Sequence, residues 1–298
     1  MNSHDVQISI ILPAYNEGNI IGDVIHNIQK VLQDYGNRLE ILVVDDCSTD
    51  DTAILAERAG AQVLKHPYNI GNGAAVKTGI RHARGSTIVM LDADGQHAPE
   101  DIPRLLEQIG VFDMVVGARV RSSESAWHRD LANWFYNKLA SYVSGYNIKD
   151  LTSGFRAIKT DVARNFVYLL PNRFSYPTTI TLATIRSGRS LSYIPIHAKK
   201  RIGKSKIRIL RDGVKFLLII IKIATFFSPL KIFLPVSALM FLTGFFYGFY
   251  KVIFLNTRYG PTSAMLMTIS VVIFMVGLVS EQVAQLRFDR SEIFTDRE

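Results

Sequence analysis

The sequence predicts an α/β fold: a mostly parallel sheet with helices on both faces, followed by an amphipathic surface helix and a two-helix membrane hairpin. Three observations predict it. Short apolar runs alternate with amphipathic stretches from Gln7 to Val116. Polar and acidic residues gather just after each apolar run, where open α/β sheets bind their ligands. Two runs of 19 residues without a charge, Ile232 to Tyr250 and Thr262 to Ser280, lie toward the C-terminus. The expected divisions are an α/β domain over 1–204, an interfacial region over 205–229, a hairpin over 230–286 with spans near 232–254 and 261–281, and a tail over 287–298.

The elements follow in order. Gln7–Leu12 reads as a strand ending at Pro13, and Ile20–Leu32 as an amphipathic helix. Leu39–Val44 is strand-like, Asp51–Ala59 is a helix with an acidic start, and Gln62–Leu64 is again a strand. Gly73–Ala83 (helix), Thr87–Leu91 (strand), Pro99–Ile109 (helix) and Met114–Val116 (strand) continue the alternation. Ser205–Ser228 carries Arg208, Arg211, Lys215 and Lys222 on one helical stripe, with Phe216, Leu217, Ile220, Ile221 and Phe227 around the remainder. That pattern suits a helix lying in a membrane surface; an ordinary linker helix with a solvated face is the alternative.

Each uncharged run is close to the ~20 residues that cross a bilayer core. Lys231 and Lys251 flank the first, and Glu281 closes the second. A buried hairpin in a soluble core is the alternative. Basic residues crowd the approach (Lys199, Lys200, Arg201, Lys204, Lys206 and onward) and follow the exit (Arg287, Arg290), whereas the connecting loop holds only Lys251 and Arg258. The positive-inside bias therefore puts both ends and the α/β domain in the cytoplasm. Met1–Asn16 shows no basic start or long apolar region of a signal peptide. Gly244 and Gly248 have a small-xxx-small spacing that could pair helices in a homo-oligomer, or face lipid.

Composition excludes several classes. With 48% hydrophobic residues the chain is not disordered, and its one cysteine, Cys47, builds no disulfide framework. The net charge of +8 calls for an anionic partner. Because the strongest basic cluster adjoins the spans, lipid or phosphate is favoured over nucleic acid. Gly71-Asn72-Gly73 continues into Ala74-Ala75-Val76 without a third glycine, so it is not a dinucleotide fingerprint. The glycines instead let a loop turn tightly into the next helix.

Asp92 and Asp94 are the sharpest chemical signal. Two carboxylates two residues apart at a strand end repel unless a hard cation such as Mg²⁺ or Mn²⁺ joins them, and Gln96 can add a neutral oxygen. Capping of the helix near Pro99 is the alternative. Asp45 and Asp46 end another strand. Ser48 and Asp51 are equally good helix caps, which leaves Asp46 freer for a ribose or base. Tyr15 could stack on a base and Glu17 could accept a hydrogen bond, or both could be plain turn residues.

Taken together, Pro13-Ala14-Tyr15-Asn16-Glu17, Val43-Val44-Asp45-Asp46-Cys47-Ser48-Thr49-Asp50-Asp51-Thr52 and Leu91-Asp92-Ala93-Asp94-Gly95-Gln96-His97 resemble family 2 glycosyltransferases of the GT-A fold. Leu151-Thr152-Ser153-Gly154-Phe155-Arg156-Ala157 and Arg201-Ile202-Gly203-Lys204-Ser205-Lys206 look like the dolichol-phosphate mannose synthase branch, which includes bacterial polyprenyl-phosphate glycosyltransferases. The resemblance implies that Pro13, Tyr15, Glu17, Val44 and Asp46 bind the nucleoside. It implies that Asp92, Ala93, Asp94 and Gln96 hold the diphosphate and its metal, and that Arg119, Arg129, Ser153, Arg201 and Lys206 receive the acceptor phosphate. Asp92, Asp94, Arg119 and Arg201 then form the catalytic set. Lys204 departs from the acidic residue of many relatives, and Cys47 from a small one. The Gln-x-x-Arg-Trp signature of processive synthases is absent, since the only tryptophans are Trp127 and Trp134. Single transfer is expected.

The implied reaction is metal-dependent, inverting transfer of one hexose from a nucleotide-diphosphate sugar (GDP-mannose or UDP-glucose type) to a polyprenyl phosphate at the membrane. Two alternatives stand beside it: transfer to a glycerolipid or glycan hydroxyl, with Asp150 or Asp130 as base, and an inactive membrane scaffold.

Overall fold

The computed structural model describes residues 6–120, 127–172, 176–197, 225 and 228–293. They fall into two compact units. The first covers residues 1–138 and 146–206, and the second 139–145 and 207–298.

In the first unit, β1 (Ile8–Ala14), β2 (Leu39–Asp45), β3 (Gln62–Lys65) and β4 (Thr87–Met90) are joined by helices α1 (Ile21–Val31), α2 (Thr52–Arg58) and α3 (Asn72–His82). Then come α4 (Ile102–Ile109), β5 (Met114–Arg119), α5 (Trp127–Ser144, of which residues 139–144 fall in the second unit), β6 (Arg156–Lys159), α6 (Thr160–Phe166), α7 (Tyr176–Arg186) and β7 (Leu191–Ile196). Seven strands form one sheet in the order β3-β2-β1-β4-β6-β5-β7. Only β6 runs antiparallel to its neighbours, β4 and β5.

The apolar period of α1 explains its place. Ile21, Val24, Ile25 and Ile28 recur at helical spacing and are all buried against strand residues such as Ile10, Leu12 and Val43. The strand expected to end at Pro13 runs on to Ala14. Pairing of β1 with β4 stops at Ile11↔Met90, so the missing N–H of Pro13 costs no ladder bond there, while pairing with β2 continues to Ala14↔Asp45. The helix expected from Pro99 opens as a single 3₁₀ turn, Pro99–Asp101, before α4. No element is expected from the sequence between Val116 and Ser205, and α5, β6, α6, α7 and β7 are findings of the structure.

The second unit holds helices Leu230–Phe254 and Pro261–Ile293. Apolar stretches of 25 and 26 residues within them are long enough to cross a membrane, and only 17% of the most apolar window of each is buried. A core helix of a soluble protein would be mostly covered. Gly244 and Gly248 are buried inside this hairpin: a Cβ at Gly248 would lie 2.2 Å from the Tyr259 ring, and one at Gly244 2.9 Å from Leu266. The small residues thus bring the two helices of one chain together instead of facing lipid. Glu281 Oε2 accepts a hydrogen bond from Leu230 N (3.2 Å), satisfying a free donor at the first helix's start. Lys231 Nζ donates to Tyr142 O (3.1 Å) and Val143 O (2.8 Å), capping the end of α5. The expected surface helix over 205–228 lies outside the described residues, apart from Thr225 and Ser228.

Candidate active site

The chain lays β2 and β3 on one side of β1, then returns to place β4 on the other. This reversal opens a crevice over the carboxyl ends of β1 and β4, the usual ligand position in such sheets. The reversed direction of β6 matters as much. Arg156, at its start, pairs with Met90 of β4 and Val116 of β5, so residues 150–155 reach the same edge as Asp92 and Arg119.

On the β1–β2 side two loops are buttoned together. Asn16 N donates to Ser48 Oγ (2.9 Å), and Asn16 Oδ1 accepts from Thr49 N (2.8 Å). Glu17 N donates to Thr52 Oγ1 (2.9 Å) and Gly18 N to Asp50 Oδ2 (3.0 Å). Asn16 sits at φ +58°, a left-handed conformation that asparagine tolerates. Tyr15 is left exposed at 46%. Val44 is fully buried and Ala93 is 2% exposed, so neither side chain reaches the surface; Pro13 is half-buried.

The view of Asp46 as the freer aspartate needs correction. It is 3% exposed, and its carboxylate accepts from Ile70 N (2.9 Å) and Gly71 N (2.8 Å) while Oδ1 lies 2.7 Å from His66 Nδ1. His66 Nε2 in turn meets Thr78 Oγ1 of α3 (2.9 Å). Asp46 therefore ties the loop after β3 to the end of β2. Nor do Ser48 and Asp51 cap α2 through their side chains: Asp50 Oδ1 accepts from Thr52 N (3.1 Å), and Ser48 serves Asn16.

Asp92 follows β4, and its side chain keeps 36% of its surface open. His97 Nε2 lies 3.6 Å from Asp92 Oδ2, with its ring against Phe155 at 5.2 Å. Burial pushes the Asp92 carboxyl up, but the polar side chains of His97 and Asn72 beside it and the nearby charge of Arg119 outweigh it and hold the group below the ordinary carboxylate range. Asp94 Oδ1 accepts from Gln96 N (3.1 Å), and Gly95 at φ +70° lets the loop turn back over Ile20. Among the described residues no three His, Cys, Asp or Glu side chains make a cation site by themselves. The donor set is two carboxylates and an amide oxygen. It fits Mg²⁺ or Mn²⁺, hard ions that commonly take one or two protein carboxylates and complete their shell with substrate phosphate and water.

Arg119 ends β5 and is clamped by Asp150: Nε to Oδ2 at 2.8 Å and Nη2 to Oδ1 at 2.9 Å, with Thr152 Oγ1 2.6 Å from Nη2. The backbone N–H groups of Thr152 and Ser153 also donate to Asp150 Oδ1, both at 3.1 Å. Burial raises the Asp150 carboxyl, yet Arg119 and these donors more than reverse that and keep it low. Ser153 is 1% exposed, and its hydroxyl has no partner among the described residues. Arg201 and Lys206 lie outside the described residues, as does the side chain of Arg129.

The structure thus brings Asp92, Asp94, Gln96 and Arg119 to one edge, with Tyr15 and Glu17 on the adjoining loop. It adds residues that sequence reasoning passed over. Asn72 was read only as part of a tight turn, and His97 and Arg156 only as members of motifs. Their one signal was position: each stands next to a loop already marked as functional.

The family model described as glycosyl transferase family 2 matches residues 9–166, and that described as GtrB C-terminal hairpin matches residues 228–286. An uncharacterized protein of Methanocaldococcus jannaschii is 30% identical over 200 residues, spanning 64% of this chain and 80% of its own. The undecaprenyl-phosphate 4-deoxy-4-formamido-L-arabinose transferase of Klebsiella pneumoniae is 28% identical over 262 residues, spanning 86% of this chain and 78% of its own. Among solved structures, glucosyl-3-phosphoglycerate synthase of Mycobacterium tuberculosis, in complex with Mn²⁺, UDP-glucose and phosphoglyceric acid, superposes with a TM-score of 0.58 at 21% identity. That match covers 74% of this chain and 80% of the synthase, and it shows a shared fold.

Proposed function

The chain belongs to glycosyl transferase family 2, with a GT-A sheet and a C-terminal apolar hairpin, and from that premise we propose that it transfers one hexose from a nucleoside diphosphate sugar to a polyprenyl monophosphate. The observation that carries the choice of acceptor is the state of Asp150. A hydroxyl acceptor needs a general base. Of the two carboxylates expected for that role, the Asp130 side chain lies outside the described residues, and both oxygens of Asp150 are bonded to Arg119 with the group held in its ionised, weakly basic form. A phosphate monoester is already an anion at neutral pH and needs a cation to receive it. Arg119 supplies one. The Klebsiella relative, named for an undecaprenyl-phosphate reaction, and the apolar hairpin point the same way.

Tyr15 and Glu17 are assigned to the nucleoside, with Asp46 shaping that pocket through the loop it holds. Asp92, Asp94 and Gln96 are assigned to the cation and diphosphate. A Mg²⁺ or Mn²⁺ bound there would neutralise charge on the departing nucleoside diphosphate. Arg119, together with Arg129, Ser153, Arg201 and Lys206, is assigned to the acceptor phosphate. An acceptor phosphate oxygen bonds to the anomeric carbon as the bond from that carbon to the diphosphate oxygen breaks, so the configuration inverts. No proton need leave the acceptor. Arg119, fixed by Asp150, offsets repulsion between the two anions without reorganising. Holding the acceptor at the bilayer surface replaces a rare encounter by a local one. The basic flanks of the hairpin, against a loop with only Lys251 and Arg258, favour a cytoplasmic side for the catalytic domain and both ends.

The test is a donor and acceptor screen. The full chain in membranes is given Mg²⁺ or Mn²⁺, labelled UDP- and GDP-sugars, and either a short polyprenyl phosphate or glycerolipid and glycan hydroxyls. Label should enter the phosphate acceptor alone. Equal or greater transfer to a hydroxyl would overturn the reading.

A further inference from the structure

Arg156 is a buried charge that the assignments above leave unused. It is 0% exposed, and among the described residues no carboxylate stands within ion-pair distance of it. A buried guanidinium without an ion partner carries a large desolvation cost, so its presence calls for a reason. The carboxylates of Asp150 and Asp92 act on it through space. Nη1 donates to Pro177 O (3.0 Å) and Thr181 Oγ1 (3.1 Å), both in α7, while Nη2 donates to Ser153 O. One guanidinium thus fastens the turn before β6 to the start of α7.

Both fastened pieces close on Asp92. A Cβ built on Gly154 would lie 3.0 Å from Asp92 Oδ2 and 3.2 Å from Tyr176 Oη. Gly154 does not occupy the left-handed region, so its glycine is a matter of space. Tyr176, the first residue of α7, is 3% exposed, and its hydroxyl has no partner among the described residues. A buried donor and a bare Cα therefore line the far side of the Asp92 carboxylate.

We propose that Arg156 is a positioning residue: by clamping the Ser153–Gly154 turn to the start of α7, it fixes the wall against which the Asp92 carboxylate rests. This rests on the reading of Asp92 as a cation ligand. The wall bears on the diphosphate end of the crevice only. The nucleoside end is held by Asn16–Thr49 and Asp46–Gly71, neither of which involves Arg156. Disturbing the wall should separate the two ends, which a general loss of structure would not do.

The test uses the full chain in detergent, with binding of UDP and of GDP measured by calorimetry with and without MnCl₂. The variants are Arg156→Lys, Gly154→Ala and Tyr176→Phe, each checked for a cooperative unfolding transition. In all three, binding without Mn²⁺ should stay within about twofold of wild type, while the Mn²⁺-dependent gain falls by about 10- to 100-fold in Arg156→Lys and Gly154→Ala, as for lost supports of metal ligands. Tyr176→Phe, which removes one oxygen, should shift the same way by less. Turnover with polyprenyl phosphate should fall in parallel. A folded Gly154→Ala that keeps the whole Mn²⁺ gain overturns the proposal, as does equal loss of binding with and without Mn²⁺. If wild type itself shows no gain with either nucleotide, the cation reading fails and takes this inference with it.

Discussion

Arg119 and Asp150, 31 residues apart in the chain, meet in a two-point ion pair, Nε to Oδ2 at 2.8 Å and Nη2 to Oδ1 at 2.9 Å. The pair joins the end of β5 to the turn before β6 and leaves the Arg119 side chain 38% exposed at the crevice. Its geometry depends on the planar fork of the guanidinium, which a lysine ammonium cannot reproduce. Arg119→Lys keeps the charge and loses the fork. The expected result is a KM for polyprenyl phosphate raised by about tenfold, the order of one hydrogen-bonded charge contact, with UDP or GDP binding unchanged. Steady-state kinetics with acceptor varied at saturating donor checks this. An unchanged acceptor KM would remove Arg119 from the acceptor side.

Asp94→Asn tests the cation. The substitution preserves shape and the acceptor oxygen used by Gln96 N, but removes the charge. Transfer should fall by at least about 100-fold, as when charge stabilisation of a leaving group is lost. The thermal unfolding midpoint should stay near that of wild type. Near-normal turnover would show that Asp94 holds no cation.

Asp113 lies at the opposite end of the sheet from the crevice and offers a test of the scaffold. Its carboxylate accepts from Lys159 Nζ (2.9 Å), Ser190 N (2.8 Å) and Ser190 Oγ (2.8 Å), tying β5, β6 and the entry to β7. Burial alone would raise its pKa; the Ser190 backbone donor, Lys159 and the Ser190 hydroxyl reverse that and lower it to about 2. A carboxylate depressed in the folded state stabilises the fold above its unfolded pKa of 3.8 and loses that contribution as pH falls toward 2. The shift corresponds to about 2 kcal/mol. Asp113→Asn should therefore cost about 2 kcal/mol at pH 7 in the unfolding of the α/β unit. The gap to wild type should narrow between pH 4 and pH 2. A gap that stays constant over that range would mean the ion pair is not the source.

The alternation from β1 to β5 was legible because strand and helix periods differ and because each half-buried helix must show its core face. Ile21, Val24, Ile25 and Ile28 mark α1 without any structure. Asp92 and Asp94 stood out because they follow an apolar strand. The return leg was not legible. β6 is only four residues long, Arg156–Lys159, and it begins with an arginine buried in the core, so nothing in its composition reads as a strand. Without β6 and its reversed direction, no spacing argument could bring Asp150 to Arg119 or Gly154 to Asp92. Asp46 was misjudged for a related reason. Its partners, His66, Ile70 and Gly71, are 20 to 25 residues away, and two of them bond through backbone N–H groups that any residue type provides.

That lock yields a prediction about the donor pocket. Asp46 Oδ1 and Oδ2 hold Ile70 N and Gly71 N, and His66 stands between Asp46 and Thr78 of α3, so the loop after β3 is shaped by one carboxylate and one imidazole acting together. Asp46→Asn replaces one acceptor oxygen by a donor that cannot receive a backbone N–H. His66→Ala leaves the carboxylate without its side-chain neighbour. Each change should weaken UDP or GDP binding by about tenfold, or ~1.4 kcal/mol. Because both act on the same loop, the double variant should fall short of the sum by about 1 kcal/mol, the coupling typical of side chains in one network. Calorimetric titration of the two single variants and the double variant, without added metal, closes the cycle. Simple additivity would mean that His66 and Asp46 affect the nucleotide by separate routes, and the loop would then not be held as a unit.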